Sequence, residues 1–150
     1  MNLIEYQPGY QHHFDRLNRA WITRFFEMEA EDEAMLLHPQ EHILDKGGRI
    51  LFAQHEGNFI GTIALIPMEE GVFELAKMAV DESFQGLGAG KFLCSAALEE
   101  ARRRGARKVI LFTNSGLATA LHIYHRFGFR AVPTEGSLYR RADTKMEVLL

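Results

Sequence analysis

The segment Gln85-Gly86-Leu87-Gly88-Ala89-Gly90-Lys91 constrains this chain more than any other stretch. It lies between residues 72–80, which read as a strand, and residues 87–104, which read as a helix. Three glycines in five positions let the backbone turn tightly and bring its N–H groups close to a ligand. The helix that follows adds free N–H groups and the positive end of its dipole, a setting suited to phosphate or pyrophosphate. Two familiar nucleotide patterns fail here. A G-x-G-x-x-G fingerprint begun at Gly86 puts Lys91 at the third glycine position. A P-loop ending in Gly90-Lys91 puts Gln85 first and Phe92 last.

Helices and strands alternate around this turn, which predicts an α/β or α+β layered fold. Residues 9–26 read as a helix, with Phe14, Leu17, Trp21 and Phe25 at spacings of three and four. Residues 31–44 form a second helical stretch, interrupted by Pro39. Strands are expected over 3–7, 49–55, 58–67 and 72–80, with Gly57 in the tight turn between the second and third. The helix over 87–104 carries Leu93, Ala97 and Ala101 on one face, and its Glu99–Arg103 and Glu100–Arg104 pairs have i,i+4 spacing. A buried strand over 108–113, a helix over 117–127 and strands over 129–132 and 144–150 complete the chain. There is no internal repeat or Pro/Gly/Ser-rich linker, so residues 1–150 are expected to form one domain.

A formal net charge of −3 gives no electrostatic reason for binding nucleic acid or an anionic membrane. Cys94 is the one cysteine, so no intramolecular disulfide can form. The first residues carry no basic stretch followed by an apolar run, and the longest apolar runs are too short to span a bilayer. A cytoplasmic location is expected. The seven histidines are scattered, without carboxylate or cysteine partners at ligand spacing, so no metal site is read.

Gln85, Gly88 and Gly90 fit the pattern Q/R-x-x-G-x-G/A, and Tyr124-His125-Arg126-Phe127-Gly128-Phe129 fits Y-x-x-x-G-F after a short helix. In order and spacing, with residues 74–80 and 108–114, these resemble the core of the GNAT superfamily of acetyl-CoA-dependent N-acetyltransferases. The likeness is specific over residues 72–132; the N-terminal third carries no signature. The resemblance implies a GNAT fold: a mixed, mostly antiparallel central sheet of six to seven strands, splayed at the CoA site, with about four helices. It also implies acetyl-CoA as co-substrate, a small-molecule amine as acceptor and possible homodimers.

Acetyl transfer from a thioester to an amine requires removal of the amine proton, a donor for the developing oxyanion and a proton for the departing thiolate. By resemblance, backbone groups of Met78, Ala79 and Val80 bind the pantetheine and acetyl group, and Gln85, Gly86, Leu87, Gly88, Ala89, Gly90 and Lys91 hold the pyrophosphate. Asn114 either hydrogen-bonds the pantetheine arm or caps the next helix. Tyr124 matches the general acid, although Leu117, Leu121 and Tyr124 also form one helical face suited to the core. Glu74 is the candidate base. On a regular strand it faces the same way as Ala76, Met78 and Val80; the alternatives are an ion pair with Lys77 or a basic side chain elsewhere, or an exposed strand end. A water chain removing the amine proton is the other route.

Trp21, Phe25 and Phe26 border the acceptor side or belong to the core, and His122 reads as a surface residue. Cys94 reads as a buried small apolar side chain. The acidic run Glu27, Glu29, Glu31, Asp32 and Glu33 reads as a solvated loop or helix start, or else attracts a cationic amine, whereas Arg140 and Arg141 would attract a carboxylate-bearing acceptor; the two attractions pull in opposite directions. A protein or peptide N-acetyltransferase and a non-catalytic acyl-CoA-binding module are the competing functions.

Overall fold

The computed structural model describes residues 1–134 and 139–150. Strand β1 (Asn2–Glu5) leads through a short 3-10 turn at Pro8–Tyr10 into helix α1 (Gln11–Phe25), followed by α2 (Ala30–Leu37). Pro39 ends the second helical stretch early, having no N–H to offer a continuing helix. The chain resumes there as a single π-helical turn, Gln40–Leu44. Strands β2 (Arg49–His55), β3 (Asn58–Glu69) and β4 (Val72–Val80) then form a meander. Helix α3 (Ala89–Arg103) crosses to β5 (Lys108–Thr113), and α4 (Ala118–Arg126) leads to the β6 (Arg130–Val132) and β7 (Thr144–Leu149) pair.

All seven strands join one sheet in the order β1-β2-β3-β4-β5-β7-β6. Every pairing is antiparallel except β4 with β5, the parallel pair that the α3 crossover makes possible. The expected layered, mostly antiparallel mixed sheet is therefore present. Two apolar cores cover its two faces. Phe14, Leu17 and Ile22 of α1 and Leu36 of α2 pack with Phe52, Ala64 and Ile66 on one side. Leu93, Ala97 and Ala101 of α3 pack with Ile63, Leu75 and Leu111 on the other, confirming the apolar face read for that helix. Its surface charges pair at i,i+3 rather than i,i+4: Arg103 with Glu100 at 2.9 Å and Arg102 with Glu99 at 3.8 Å. Cys94 is fully buried among the α3-side residues, and burial pushes its thiol up to about 12. No helix among the described residues is long and apolar enough to cross a membrane.

Candidate active site

β4 and β5 pair from Val72↔Lys108 to Leu75↔Leu111 and then part. β5 keeps its ladder with β7 as far as Thr113↔Thr144. On the side away from β3, residues 76–80 of β4 thus present an edge that no described strand pairs, and the main-chain groups directed to that side are available to a ligand. A cavity of about 790 Å³ lies along this divergence, within the range of small-molecule and cofactor pockets. Met78, Val80, Thr113, Asn114 and Tyr124 contribute to its wall.

The parting coincides with a β-bulge. Thr62 pairs with Ala79 and Ala64 with Ala76, so Lys77 and Met78 together face Ile63 alone. Lys77 has φ +54°, in the left-handed region that side-chain-bearing residues rarely occupy. The bulge also reverses the alternation of side chains. Phe73 and Leu75 point to the α3 core and Ala76 to the α1–α2 core; past the bulge Met78 and Val80 point to α3 and Ala79 to α1–α2. Glu74 therefore shares a face with Ala76 and not, as regular strand geometry predicts, with Met78 and Val80. The single strand serves both ends of the cavity.

Glu74 lines the cavity, and its carboxylate makes no hydrogen bond or ion pair to a described residue. Burial pushes its carboxyl up to about 7, with the Lys77 charge opposing. The alternative pairing of Glu74 with Lys77 is not formed. The Lys77 ammonium instead lies 2.6 Å from Oδ1 of Asp32, which is completely buried. Arg141 grips the same carboxylate at 2.7 and 2.8 Å, and the backbone N–H of Glu29 donates to it at 2.9 Å. Burial favours the neutral form of Asp32, but the Arg141 and Lys77 donors overcome that and hold its carboxyl down to about 2. Glu29 accepts from the Arg140 N–H at 3.0 Å and from Arg141 at 3.2 Å. Of the acidic run and the arginine pair, read from sequence as rival attractions for an acceptor, Asp32 and Glu29 pair with Arg141, while Arg140 contributes only its backbone N–H and Glu33 pairs with Arg19. Tyr139 lies beneath both cations, with its ring centroid 4.4 Å from Lys77 Nζ and 4.5 Å from Arg141 Cζ.

On the α3 side, Gly88 is the N-cap residue, with φ +79° and no side-chain cap. The first N–H groups of α3 consequently stay open. Gln85, Gly86, Gly88, Ala89, Gly90 and Lys91 line the cavity, whereas Leu87 is exposed outside its wall and begins no helical turn. A Cβ on Gly90 would stand 2.8 Å from Cδ1 of Ile123, so this glycine lets α4 pack closely on α3. Ala79 turns its side chain into the α1–α2 core, pairs with Thr62 of β3 and is absent from the cavity wall.

Tyr124 packs edge-on against Phe129 at 5.8 Å and reaches the cavity. Its hydroxyl bonds no described residue and is not sealed from the cavity. Burial, with Cys94 adding to it, raises the phenol and keeps it protonated. Asn114 does not cap α4, whose N-cap is Leu117. Its Oδ1 accepts from the Gly116 N–H at 2.8 Å and its Nδ2 donates to the Arg141 carbonyl at 2.7 Å, which ties the end of β5 to the segment before β7. Trp21, Phe25 and Phe26 of the α1 end line the Glu74 end of the cavity, and His122 also reaches its wall. Among the described residues no group of three or more His, Cys, Asp or Glu is placed to hold a metal ion.

Residues 14–129 match the acetyltransferase (GNAT) family, and the chain belongs to it. A mycothiol acetyltransferase of Cellulomonas flavigena is 36% identical over 90 residues, 53% of this chain and 26% of that protein. The chain thus spans about a quarter of that relative's length. The fold is shared with a GNAT-family acetyltransferase of Staphylococcus aureus at a TM-score of 0.87, with 22% identity, 97% of this chain and 96% of that one covered. It is likewise shared with yncA of Salmonella typhimurium, a structure holding acetyl-CoA, at a TM-score of 0.78 and 19% identity over 99% and 93% of the two chains.

Proposed function

We propose that this chain transfers the acetyl group of acetyl-CoA to the primary amine of a small molecule by direct attack. The observation that carries this reading is one cavity with Glu74 and Tyr124 in its wall, running along the gap between β4 and β5. Acetyl-CoA supplies a thioester carbonyl with a thiolate leaving group. The open N–H groups at the start of α3, with Gln85 and Gly88 beside them, suit a pyrophosphate. The main chain of β4 facing the gap, at Met78 and Val80, suits an amide-bearing arm and offers fixed donors for an oxyanion at little reorganisation cost.

Glu74, ionising near neutrality, takes the amine proton, directly or through water. The freed nitrogen bonds to the carbonyl carbon, the carbon–sulfur bond breaks, and the Tyr124 hydroxyl gives its proton to the sulfur. The proton held by Glu74 then returns to solvent and Tyr124 recovers one, which balances the cycle. A small acceptor is favoured because the Tyr139–Ala142 segment, tied to α2 through Arg141, Glu29 and Asp32, walls the Glu74 end. CoA release measured across small amines, amino acids and a peptide tests the reading. Turnover of small amines supports it, a peptide-only acceptor redirects it to protein acetylation, and binding without turnover makes the chain an acyl-CoA sensor.

A further inference from the structure

We infer that Asp32 is a positioning residue, which through Lys77 holds the β4 bulge that lays out both ends of the cavity. The inference rests on the proposed acetyl transfer for its kinetic arm only. Lys77 is an unusual residue to find at φ +54°: it has no glycine's freedom, and regular pairing of β4 with β3 offers its backbone a less strained alternative. Something must over-determine the bulge. The side chain supplies it, because Lys77 is only 4% exposed and its ammonium is fixed 2.6 Å from a carboxylate with no exposure at all.

That carboxylate is itself held from several sides. It closes the capping box at the start of α2 with Glu29 and takes both guanidinium nitrogens of Arg141. The Tyr139 ring beneath Lys77 adds a cation–π contact at 4.4 Å. Three segments far apart in sequence, around residues 32, 77 and 141, therefore meet at the one strained residue of β4. If the bulge relaxed into a regular ladder, the residues beyond it would slip by one position. Met78 and Val80 would then turn to the α1–α2 face, and the main chain along the β5 gap would be re-presented. Asp32 itself is absent from the cavity wall, so it acts through Lys77 and touches no reactant.

Two arms test this. In the first, backbone chemical shifts of residue 77 are recorded by NMR for the full chain and for Asp32→Asn. The left-handed signature should weaken or move in the variant; unchanged shifts in a folded Asp32→Asn would overturn the inference without any assay of activity. In the second, residue 77 is replaced by glycine, which tolerates φ +54°, and by valine, which resists it. The KM for acetyl-CoA should be at least fivefold lower in Lys77→Gly than in Lys77→Val. Asp32→Asn should raise that KM at least fivefold beside Lys77 and less than twofold beside Gly at 77, since the glycine holds the bulge unaided. Equal KM in the Gly and Val variants, or an Asp32→Asn effect independent of residue 77, refutes the role. Should the unaltered chain fail to bind acetyl-CoA, the functional proposal falls, while the NMR arm still decides this one.

Discussion

Replacing Glu74 with glutamine should make the protein more stable at alkaline pH while removing most of its activity. The carboxyl ionises near 7 in the fold against an ordinary value of 4.5, because burial penalises its charge. A folded-state value raised above the unfolded one means that the native protein binds the proton more tightly. Stability is therefore lost as pH climbs from about 4.5 to about 7, and the loss is complete above that window. At about 1.4 kcal/mol per pH unit of separation, the ionised carboxylate costs the fold on the order of 3 kcal/mol at pH 8. Glutamine is neutral throughout and fills nearly the same volume. Urea denaturation of the unaltered chain and Glu74→Gln, run from pH 4 to 9, isolates the effect. The gap between them should be flat below pH 4.5, widen in favour of the variant up to about pH 7, and then hold. Over the same range kcat/KM of the unaltered chain should rise through pH 7, and the variant should lose about 10²- to 10⁴-fold. A stability gap that does not change with pH, or a variant less stable at pH 8, would refute the assignment of Glu74 as a desolvated carboxyl.

Tyr124→Phe should lower kcat by about 10²-fold or more while leaving acetyl-CoA affinity within twofold, as steady-state kinetics and calorimetry together would show. Asp32→Asn should cost about 3–5 kcal/mol in chemical denaturation at pH 7, since it strips the buried Lys77 ammonium of its carboxylate and leaves Arg141 with Glu29 alone. Because the Asp32 carboxyl lies below its ordinary value, its stabilisation is present above about pH 3.8 and should fade as pH falls towards 2, bringing the two proteins together. Gly88→Val should cost about 1–2 kcal/mol through its left-handed backbone and should weaken acetyl-CoA binding in the variant that remains folded.

Local patterns in this chain were legible and long-range ones were not. The glycine-rich turn, the apolar face of α3 and the strand pattern depend on neighbours within a few residues, and each was readable from composition and period. The bulge marks the sequence only by a change of phase: the large apolar residues are Phe73 and Leu75 before Lys77 but Met78 and Val80 after it. A period-two reading carried straight across residues 72–80 passes over that change and places Glu74 on the wrong face. Asp32 sat in what read as a solvated acidic run, because its partners lie 45 and 109 residues away. Gly90 was assigned to ligand approach, yet its small size also answers to Ile123 of α4. Asn114 offered the reverse case: a residue type suited to capping was used to tie β5 to the segment before β7.

The most direct test of the central claim is calorimetric titration of the purified protein with acetyl-CoA, with NADH and ATP as controls. The gap between β4 and β5, the open start of α3 and the cavity joining them predict one saturable acetyl-CoA site per chain and no comparable binding of either control. Failure to bind acetyl-CoA, or equal binding of all three, would contradict the assignment of that cavity.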